Sequence, residues 1–464
     1  VRIIPVRKTM NKTLVCTALF AALGGLSQAQ ASDAKNVILF IGDGMGPSVL
    51  TATRLFKVGE EGNLEIMSLP RSARIKTFSH DAQTTDSAPS MAAYTTGVKM
   101  NNEVIAMSSD TKAVAPSKDA NGNKGINNCT GDNGTPVPTI LELAKAAGKS
   151  VGAVTTTELT HATPAATYAH ICHRDAAYAI AEQAVPGGAG FNAALGDGVD
   201  VLMGGGANHW TPYSASNKGG RADGRDLTAE LGAQGYQYVT TQSDLAKIES
   251  GKVLGLFSAK SHLDYELDRV AKGAANTQPS LSEMTAKAID LLSQNSQGYF
   301  LMVEGGRIDH ALHATNAKRS LTDAVALDEA VKTALGKVDL ADTLIVVTAD
   351  HDHTMTINGY AAKGNPVLDL VKNGDGSTQH DVDGKPFTTL VFGNGPNRAD
   401  VRPTLTSDQV MADDYLQETG VKLGSETHGG GDVMLFADGA GSGRFKGTLD
   451  NTLVFGKLKE ALGL

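Results

Sequence analysis

Short runs rich in Val, Ile and Leu alternate along this chain with amphipathic stretches. The runs Asn36–Ile41, Ser150–Thr156, Val199–Met203, Tyr299–Glu304, Thr343–Thr348 and Val433–Ala437 are nearly continuous in apolar character rather than alternating. Such runs are expected of strands buried on both faces of a parallel sheet. Helical spacing occupies Pro138–Ala147 and Leu281–Ser293. The second stretch follows Ser280 and has Glu283 three residues later, so hydroxyl and carboxylate can satisfy each other's backbone amides at the helix start. This alternation predicts an α/β fold, doubly wound, with a mostly parallel central sheet flanked by helices. Between about residues 356 and 427 the texture changes: Gly, Asn, Asp and Pro become frequent and long periodic helices vanish. That segment reads as an insertion returning to the sheet at Asp432, and Asn121–Gly134 as another polar loop. No repeat of solenoid or propeller spacing is visible.

The N-terminus has a different pattern. Arg2, Arg7, Lys8 and Lys12 precede an apolar run from Leu14 to Leu26, and Ala29-Gln30-Ala31 follows. A charged start, an apolar middle and a small-residue cleavage site predict a signal peptide over residues 1–31. Val1 is not Met, and Met10 is an alternative start. The apolar run is shorter than the roughly 20 residues that span a bilayer. A buried N-terminal helix is the competing reading, which the flanks disfavour. Cys16 lacks a preceding apolar run, so no lipid anchor is expected. Residues 32–464 then form a single domain including the insertion, exported across the inner membrane to a periplasmic or extracellular location. Cys129 and Cys172 remain in an oxidising compartment and are expected to pair.

Composition narrows the function classes. With 464 residues, 41% hydrophobic and 20% charged, the chain can bury a full core. A formal charge of −9, more negative after loss of the basic leader, argues against nucleic acid or anionic lipid as a specific partner. Three Cys exclude a zinc module with four cysteine ligands.

The chemistry is suggested by position. Asp43, Glu304 and Asp350 each stand at the end of an apolar run, and open α/β sheets bind ligands beyond the carboxyl ends of their strands. Three carboxylates gathered there repel one another unless cations lie among them. Taken alone, Asp43 between Gly42 and Gly44 also fits a simple turn. Gly42, Gly44 and Gly46 have GxGxG rather than GxGxxG spacing, which makes a dinucleotide fingerprint a weak reading. Histidines sharpen the case: His351 follows Asp350, His353 lies two residues on, Asp309 and His313 share a helical face at i, i+4, and His428 precedes three glycines. Carboxylate with imidazole suits Zn2+, whereas carboxylate with hydroxyl suits Mg2+. Ser87 in TTDSAPS is the candidate nucleophile, near a helix start around Pro89; a plain helix cap is the alternative.

Taken together, IGDGMG, TTDSAPS, THATPAATYAH with Arg174 beyond it, VEGGRIDHALH, TADHDH and ETHGGGDV resemble the zinc-dependent alkaline phosphatases over nearly the whole chain after the leader. The resemblance implies a phosphomonoester hydrolase in which Ser87 becomes phosphoserine. Asp309, His313 and His428 would hold one Zn2+; Asp43, Asp350 and His351 a second; and Asp43, Thr163 and Glu304 one Mg2+. Arg174 resembles the phosphate-clamping arginine, and Asp86 the carboxylate orienting it. His161 and His310 stand where some bacterial members carry Asp and Lys and where the animal-type branch carries His; a ligand role and a supporting role are equally open. Substrates would be small phosphomonoesters, with inorganic phosphate as product. The resemblance further implies a homodimer, with 356–427 as a crown-like insertion near its interface. A sulfatase or phosphodiesterase on the same scaffold is the first alternative, although no Cys/Ser-x-Pro-x-Arg context surrounds Ser87. A noncatalytic metal- or phosphate-binding protein is the second.

Overall fold

The buried apolar runs become strands. The computed structural model describes residues 34–464, so the expected signal peptide and Cys16 lie outside the described residues. In chain order the strands are β1 (Asn36–Gly42), β2 (Arg71–Lys76), β3 (Ser150–Glu158), β4 (Val201–Gly205), β5 (Gln237–Val239), β6 (Val253–Leu256), β7 (Tyr299–Gly305) and β8 (Thr343–Ala349). They are followed by β9 (Asp352–His353), β10 (Met355–Ile357), β11 (Leu390–Gly395), β12 (Thr419–Lys422), β13 (His428–Gly429), β14 (Val433–Gly439) and β15 (Gly447–Asp450). The main sheet runs β15-β2-β14-β8-β1-β7-β3-β4-β6-β5. Every pairing from β8 to β5 is parallel, and β14 joins β8 and β2 antiparallel.

Each of the apolar runs lies on a strand. β1, β7 and β8 are buried along their full length, and each Val, Leu, Ile or Phe there contributes roughly 1.5–3 kcal/mol. The third run is displaced: the strand starts at Val201 rather than Val199 and continues into Gly205. β2 carries no continuous apolar signal because Arg71, Ser72, Arg74 and Lys76 face solvent, leaving only Ala73 and Ile75 inside.

Helices flank the sheet in two groups. Pro47–Val58 and Leu281–Leu292 pack on Ala317–Leu335; Thr452–Leu462 packs on Ser87–Thr96 and Ile140–Ala146. Both expected helices are present, shortened to Ile140–Ala146 and Leu281–Leu292, and Ser280 with Glu283 forms the reciprocal cap. Cys129 and Cys172 form a disulfide, with Cα atoms 5.7 Å apart.

The irregular segment contains the small sheet β10-β11-β12 and a minor apolar cluster of Leu370, Leu405 and Val410. The chain then returns as β13, antiparallel to β9, with His428 opposite His353. β14 rejoins the main sheet one residue after Asp432.

One buried ion pair ties the Ile140–Ala146 helix to the loop before Cys172. Thr139 and Glu142 make its capping box, and Glu142 Oε1 also accepts from His170 Nε2 at 2.7 Å. His170 Nδ1 donates to the Ala106 carbonyl at 2.7 Å, so both ring nitrogens carry protons. Burial opposes both charges, but the pairing outweighs it, raising His170 above its ordinary 6.5 and lowering Glu142 below its ordinary 4.5. The His170 contribution is complete below 6.5 and fades as pH rises through the raised value; the Glu142 contribution fades as pH falls through the lowered one. Stability from the pair therefore peaks between the two ordinary values. His170→Phe is expected to cost about 3 kcal/mol in urea unfolding at pH 6, with a smaller loss at pH 9; an equal loss at both pH values would contradict the assignment.

Candidate metal centre

The four central strands end side by side. β8, β1, β7 and β3 are consecutive in the sheet, and parallel register sets Glu304 beside Ile41 and Thr155. Asp43 and Asp350 follow one residue beyond their strands. The chain turns sharply after β1: Gly44 adopts φ +67°, and its amide donates to Asp350 Oδ1 at 3.0 Å. A Cβ at Gly44 would lie 2.4 Å from the His353 ring, and one at Gly46 1.7 Å from Asp352 Oδ1. These glycines make room for the β9 side chains, which accounts for the GDGMG spacing without a dinucleotide.

The first cluster is Asp309, His313 and His428. Asp309 and His313 lie one turn apart on the helix Arg307–His313, and β13 delivers His428. His313 Nδ1 lies 2.6 Å from the Glu426 carbonyl, and His428 Nδ1 2.8 Å from the Thr85 carbonyl. A carbonyl only accepts, so each Nδ1 carries the proton and each Nε2 presents a bare lone pair. Those two Nε2 atoms are 3.2 Å apart; they lie 3.3 and 3.5 Å from Asp309 Oδ1. Ligands about 2.0–2.1 Å from a tetrahedral zinc are roughly 3.3–3.4 Å from each other. Lone pairs facing at that separation repel unless a cation lies between them.

His353 is also in this group, but its spacing differs. Its Nε2 lies 2.7 Å from Asp309 Oδ1 and its Nδ1 2.6 Å from Glu426 Oε2, both hydrogen-bond distances. Burial opposes an imidazolium here, yet Asp309 and Glu426 outweigh it and push His353 up to about 10. Asp309 is likewise held well below the usual carboxylate range, its burial outweighed by His313, His353 and His428.

The second cluster shows the same spacing. His351 Nε2 is 3.2 Å from Asp43 Oδ1 and 3.4 Å from Asp350 Oδ2. His351 Nδ1 faces the Asp352 carbonyl at 3.2 Å, leaving Nε2 bare. Around Asp43, the atoms Asp43 Oδ2, Thr163 Oγ1 and Glu304 Oε1 are buried with no hydrogen-bond partner, as is Asp350 Oδ2. Orphaned buried oxygens of this kind cost about 1–3 kcal/mol each, and a cation resolves them together. Burial, followed by Asp350, Asp309 and Glu304, raises Asp43 well above its ordinary value; burial likewise pushes Glu304 up to about 7. The donor set fits divalent metals, with imidazole nitrogen in the first two clusters and oxygen in the third.

Ser87 borders the second cluster. Its Oγ lies 3.2 Å from His351 Nε2 and 3.5 Å from Asp43 Oδ1. The helix begins at Ser87 itself, two residues earlier than expected, because Asp86 is the cap and accepts from the Ala88 amide at 2.7 Å. Ser90 Oγ and Tyr94 Oη donate to the Asp350 and Ala349 carbonyls, pinning this helix to the end of β8. The cap carboxylate also accepts from Arg174 Nη1 at 3.1 Å, while Arg174 Nη2 donates to His161 Nε2 at 3.0 Å.

His161 and His310 belong to a cluster completed by His262, with ring centroids 4.2–5.5 Å apart. Each accepts one hydrogen bond: His161 from Arg174, His262 from the Glu158 amide, His310 from Arg307. The Nδ1 of His161 is buried without a partner, and His161 stands with Asp43 and Glu304 within reach of one shared ion. Burial is the main reason His310 falls to about 4 and His262 to about 2.

All fourteen side chains singled out in the sequence thus converge on one sheet edge. Those not anticipated there are Glu426, Thr155 and His262, together with the bridging position of His353. Thr155 donates to Glu304 and ends the fully buried stretch of β3, a signal the sequence carries. Glu426 and His262 stand on irregular segments and carry none.

Comparison with known proteins identifies the family. Residues 34–464 match the family model described as Alkaline phosphatase. The tissue-nonspecific alkaline phosphatase of Gallus gallus is 40% identical over 439 residues, covering 88% of this chain and 80% of that protein. The alkaline phosphatase of Gadus morhua is 37% identical, covering 93% and 90%. Among solved structures, the Thermus thermophilus alkaline phosphatase superposes with TM-score 0.69 at 27% identity, covering 93% of this chain and 92% of that one. A histidine-to-aspartate mutant of the TAB5 alkaline phosphatase with Mg bound in its M3 site gives 0.65 at 27% identity, covering 94% and 99%.

Because His353 bridges Asp309 and Glu426, His353→Ala is expected to weaken divalent-metal binding about 10–100-fold, read by competition with a chromophoric chelator. Unchanged affinity would show that the bridge does not orient Asp309.

Proposed function

Since the chain belongs to the alkaline phosphatase family and is a metal-dependent phosphomonoester hydrolase, we propose that it works through a phosphoserine formed on Ser87. The supporting observation is the Ser87 hydroxyl, buried at the mouth of the second cluster and 3.2 Å from His351 Nε2. Asp309, His313 and His428 would hold one Zn2+, Asp43, Asp350 and His351 a second, and Asp43, Thr163 and Glu304 one Mg2+. Bound there, the ions would supply Lewis-acid stabilisation of both the attacking and the leaving oxygen.

The remaining steps belong to the protein. Ser87 loses its hydroxyl proton and its Oγ attacks phosphorus, so an Oγ–P bond forms as the bond to the alcohol oxygen breaks. The alcohol departs with a proton. Water then attacks the phosphoserine, a new O–P bond forms, the Oγ–P bond breaks and Ser87 regains its proton. Arg174 holds nonbridging oxygens with its planar fork, itself aimed by Asp86 and His161. Positioning and charge suffice because phosphoryl transfer has a loose transition state. The amide donors at the start of the Ser87–Thr96 helix add favourable potential for the anion.

We place the protein outside the inner membrane. The expected leader and the Cys129–Cys172 disulfide support that reading, and among the described residues no helix is long and apolar enough to cross a membrane. A homodimer formed near the insertion is supported by its outward-facing Tyr360, Val382 and Val401, large apolar side chains that a partner would cover.

Chelation should abolish p-nitrophenyl phosphate turnover, and Zn2+ with Mg2+ together should restore it. Full activity after complete metal removal would end this reading. Ser87→Ala should retain metal while losing at least about 10³-fold in kcat, and turnover at the original rate would refute the nucleophile. Sedimentation should report twice the chain mass; a monomer at micromolar concentration would exclude the dimer.

A further inference from the structure

Main-chain strain gathers beside Arg174. Among the described residues, Glu103, Ala106 and Thr315 are the non-glycine positions with positive φ, at +74°, +48° and +57°. Two of the three stand on one short segment, residues 103–106. Such a conformation costs a non-glycine residue energy, and it persists where the surroundings hold it there, often at functional sites. The Val104 amide closes a turn on the Asn101 carbonyl at 3.2 Å. Glu103 is third in that turn, where positive φ normally calls for Gly or Asn. Its carboxylate does not explain the choice: the side chain is 42% exposed, and His173 Nε2 is 3.9 Å away, too far for a hydrogen bond.

The main chain of Glu103 supplies the reason. Its amide donates to Asp86 Oδ2, and its carbonyl accepts from the Arg174 amide at 2.8 Å. Asp86 Oδ1 in turn meets Arg174 Nη1 at 3.1 Å, with the two side chains only 15% and 17% exposed. One residue therefore grips both partners of the ion pair, the carboxylate through its N–H and the arginine through its C=O. The angle between those two groups is set by φ and ψ of that single residue, so reversing the sign of φ turns one of them from its partner. Neighbouring contacts brace the same arrangement. Asn102 Oδ1 accepts from the Asp86 amide at 3.3 Å, Ile105 and Ile171 exchange both backbone bonds at 3.0 Å, and Cys172 is tied to Cys129.

We propose that Glu103 is a positioning residue for phosphate, its left-handed main chain holding Asp86 and Arg174 in register with each other. The inference rests on the reading of Ser87 as nucleophile and Arg174 as phosphate clamp, and adds a residue to it. Asp86 immediately precedes Ser87, so the same two bonds set nucleophile and clamp relative to one another. A guanidinium fixed in advance spares the cost of ordering a long side chain when the anion arrives. The effect falls on every phosphomonoester and on inorganic phosphate alike, because all present nonbridging oxygens to the fork.

The test uses the metal-loaded wild type, Glu103→Val and Glu103→Gly, with p-nitrophenyl phosphate as substrate and inorganic phosphate as competing ligand. Valine is strongly disfavoured at positive φ, whereas glycine adopts it freely. Glu103→Val should raise KM and the phosphate inhibition constant together about tenfold, the equivalent of one charge-assisted hydrogen bond, with a smaller change in kcat. Glu103→Gly should recover phosphate affinity to within about threefold of wild type. Metal affinity, read by chelator competition, should be equal in all three. Equal weakening in both variants would overturn the inference by assigning the effect to the carboxylate. Unchanged phosphate affinity in both would overturn it, as would a parallel loss of metal affinity, which marks general loosening. Should Glu103→Val not fold, hydrogen exchange of the wild type decides: adding phosphate should protect residues 101–106 and 170–175 together. Absence of protection over 101–106 would overturn the proposal. Failure of the wild type to turn over p-nitrophenyl phosphate would instead defeat the phosphomonoesterase reading.

Discussion

Mutual repulsion of buried carboxylates governs this structure. A parallel sheet gathers its strand ends on one edge, and here β8, β1 and β7 bring Asp350, Asp43 and Glu304 to that edge. Burial and neighbouring negative charge push Asp43 up, and burial foremost does the same to Glu304 and Asp350. Such an arrangement is stable as a charged site only with cations inside it. The same charges would repel a phosphate dianion, so the metals proposed here would reverse the sign of the pocket as well as activate it.

The surrounding backbone prepares the ligands. Carbonyls of Glu426, Thr85 and Asp352 fix the tautomers of His313, His428 and His351, turning the first two Nε2 lone pairs toward Asp309 and the third toward Asp43 and Asp350. The His161–His262–His310 group is wired the opposite way, with its acceptor nitrogens consumed by Arg174, Arg307 and the Glu158 amide. The two histidine groups differ in what their ring nitrogens meet, and His161 also stands within reach of an ion shared with Asp43 and Glu304. Residue type alone does not distinguish them; the partner on the other nitrogen does.

Much of the site was legible beforehand because its candidate ligands stand at punctuation points that local physics marks. Asp43 and Asp350 follow apolar runs, Asp309 and His313 share a helical face, and Ser87 sits at a helix start. The resemblance of the surrounding motifs to a known family supplied the roles. Less legible were features set by contacts distant in sequence. Glu426 comes from the end of the irregular segment and reaches His353 only because β13 pairs with β9. β2 escaped notice because its solvent-facing positions are Arg, Ser and Lys. The helix at Ser87 begins earlier than Pro89 suggested, since Asp86 accepts the Ala88 amide and closes the turn.

The sequence by itself determined that a mostly parallel sheet forms, where six of its strands fall along the chain and the types of atom offered at their ends, because periodicity and strand termination are local consequences of side-chain burial. Tertiary structure decided which lone pairs are free and that His353 bridges Asp309 and Glu426. Those outcomes depend on distances of a few ångströms between segments far apart along the chain, and hydrogen-bond geometry at that scale leaves no periodic trace in the order of residues.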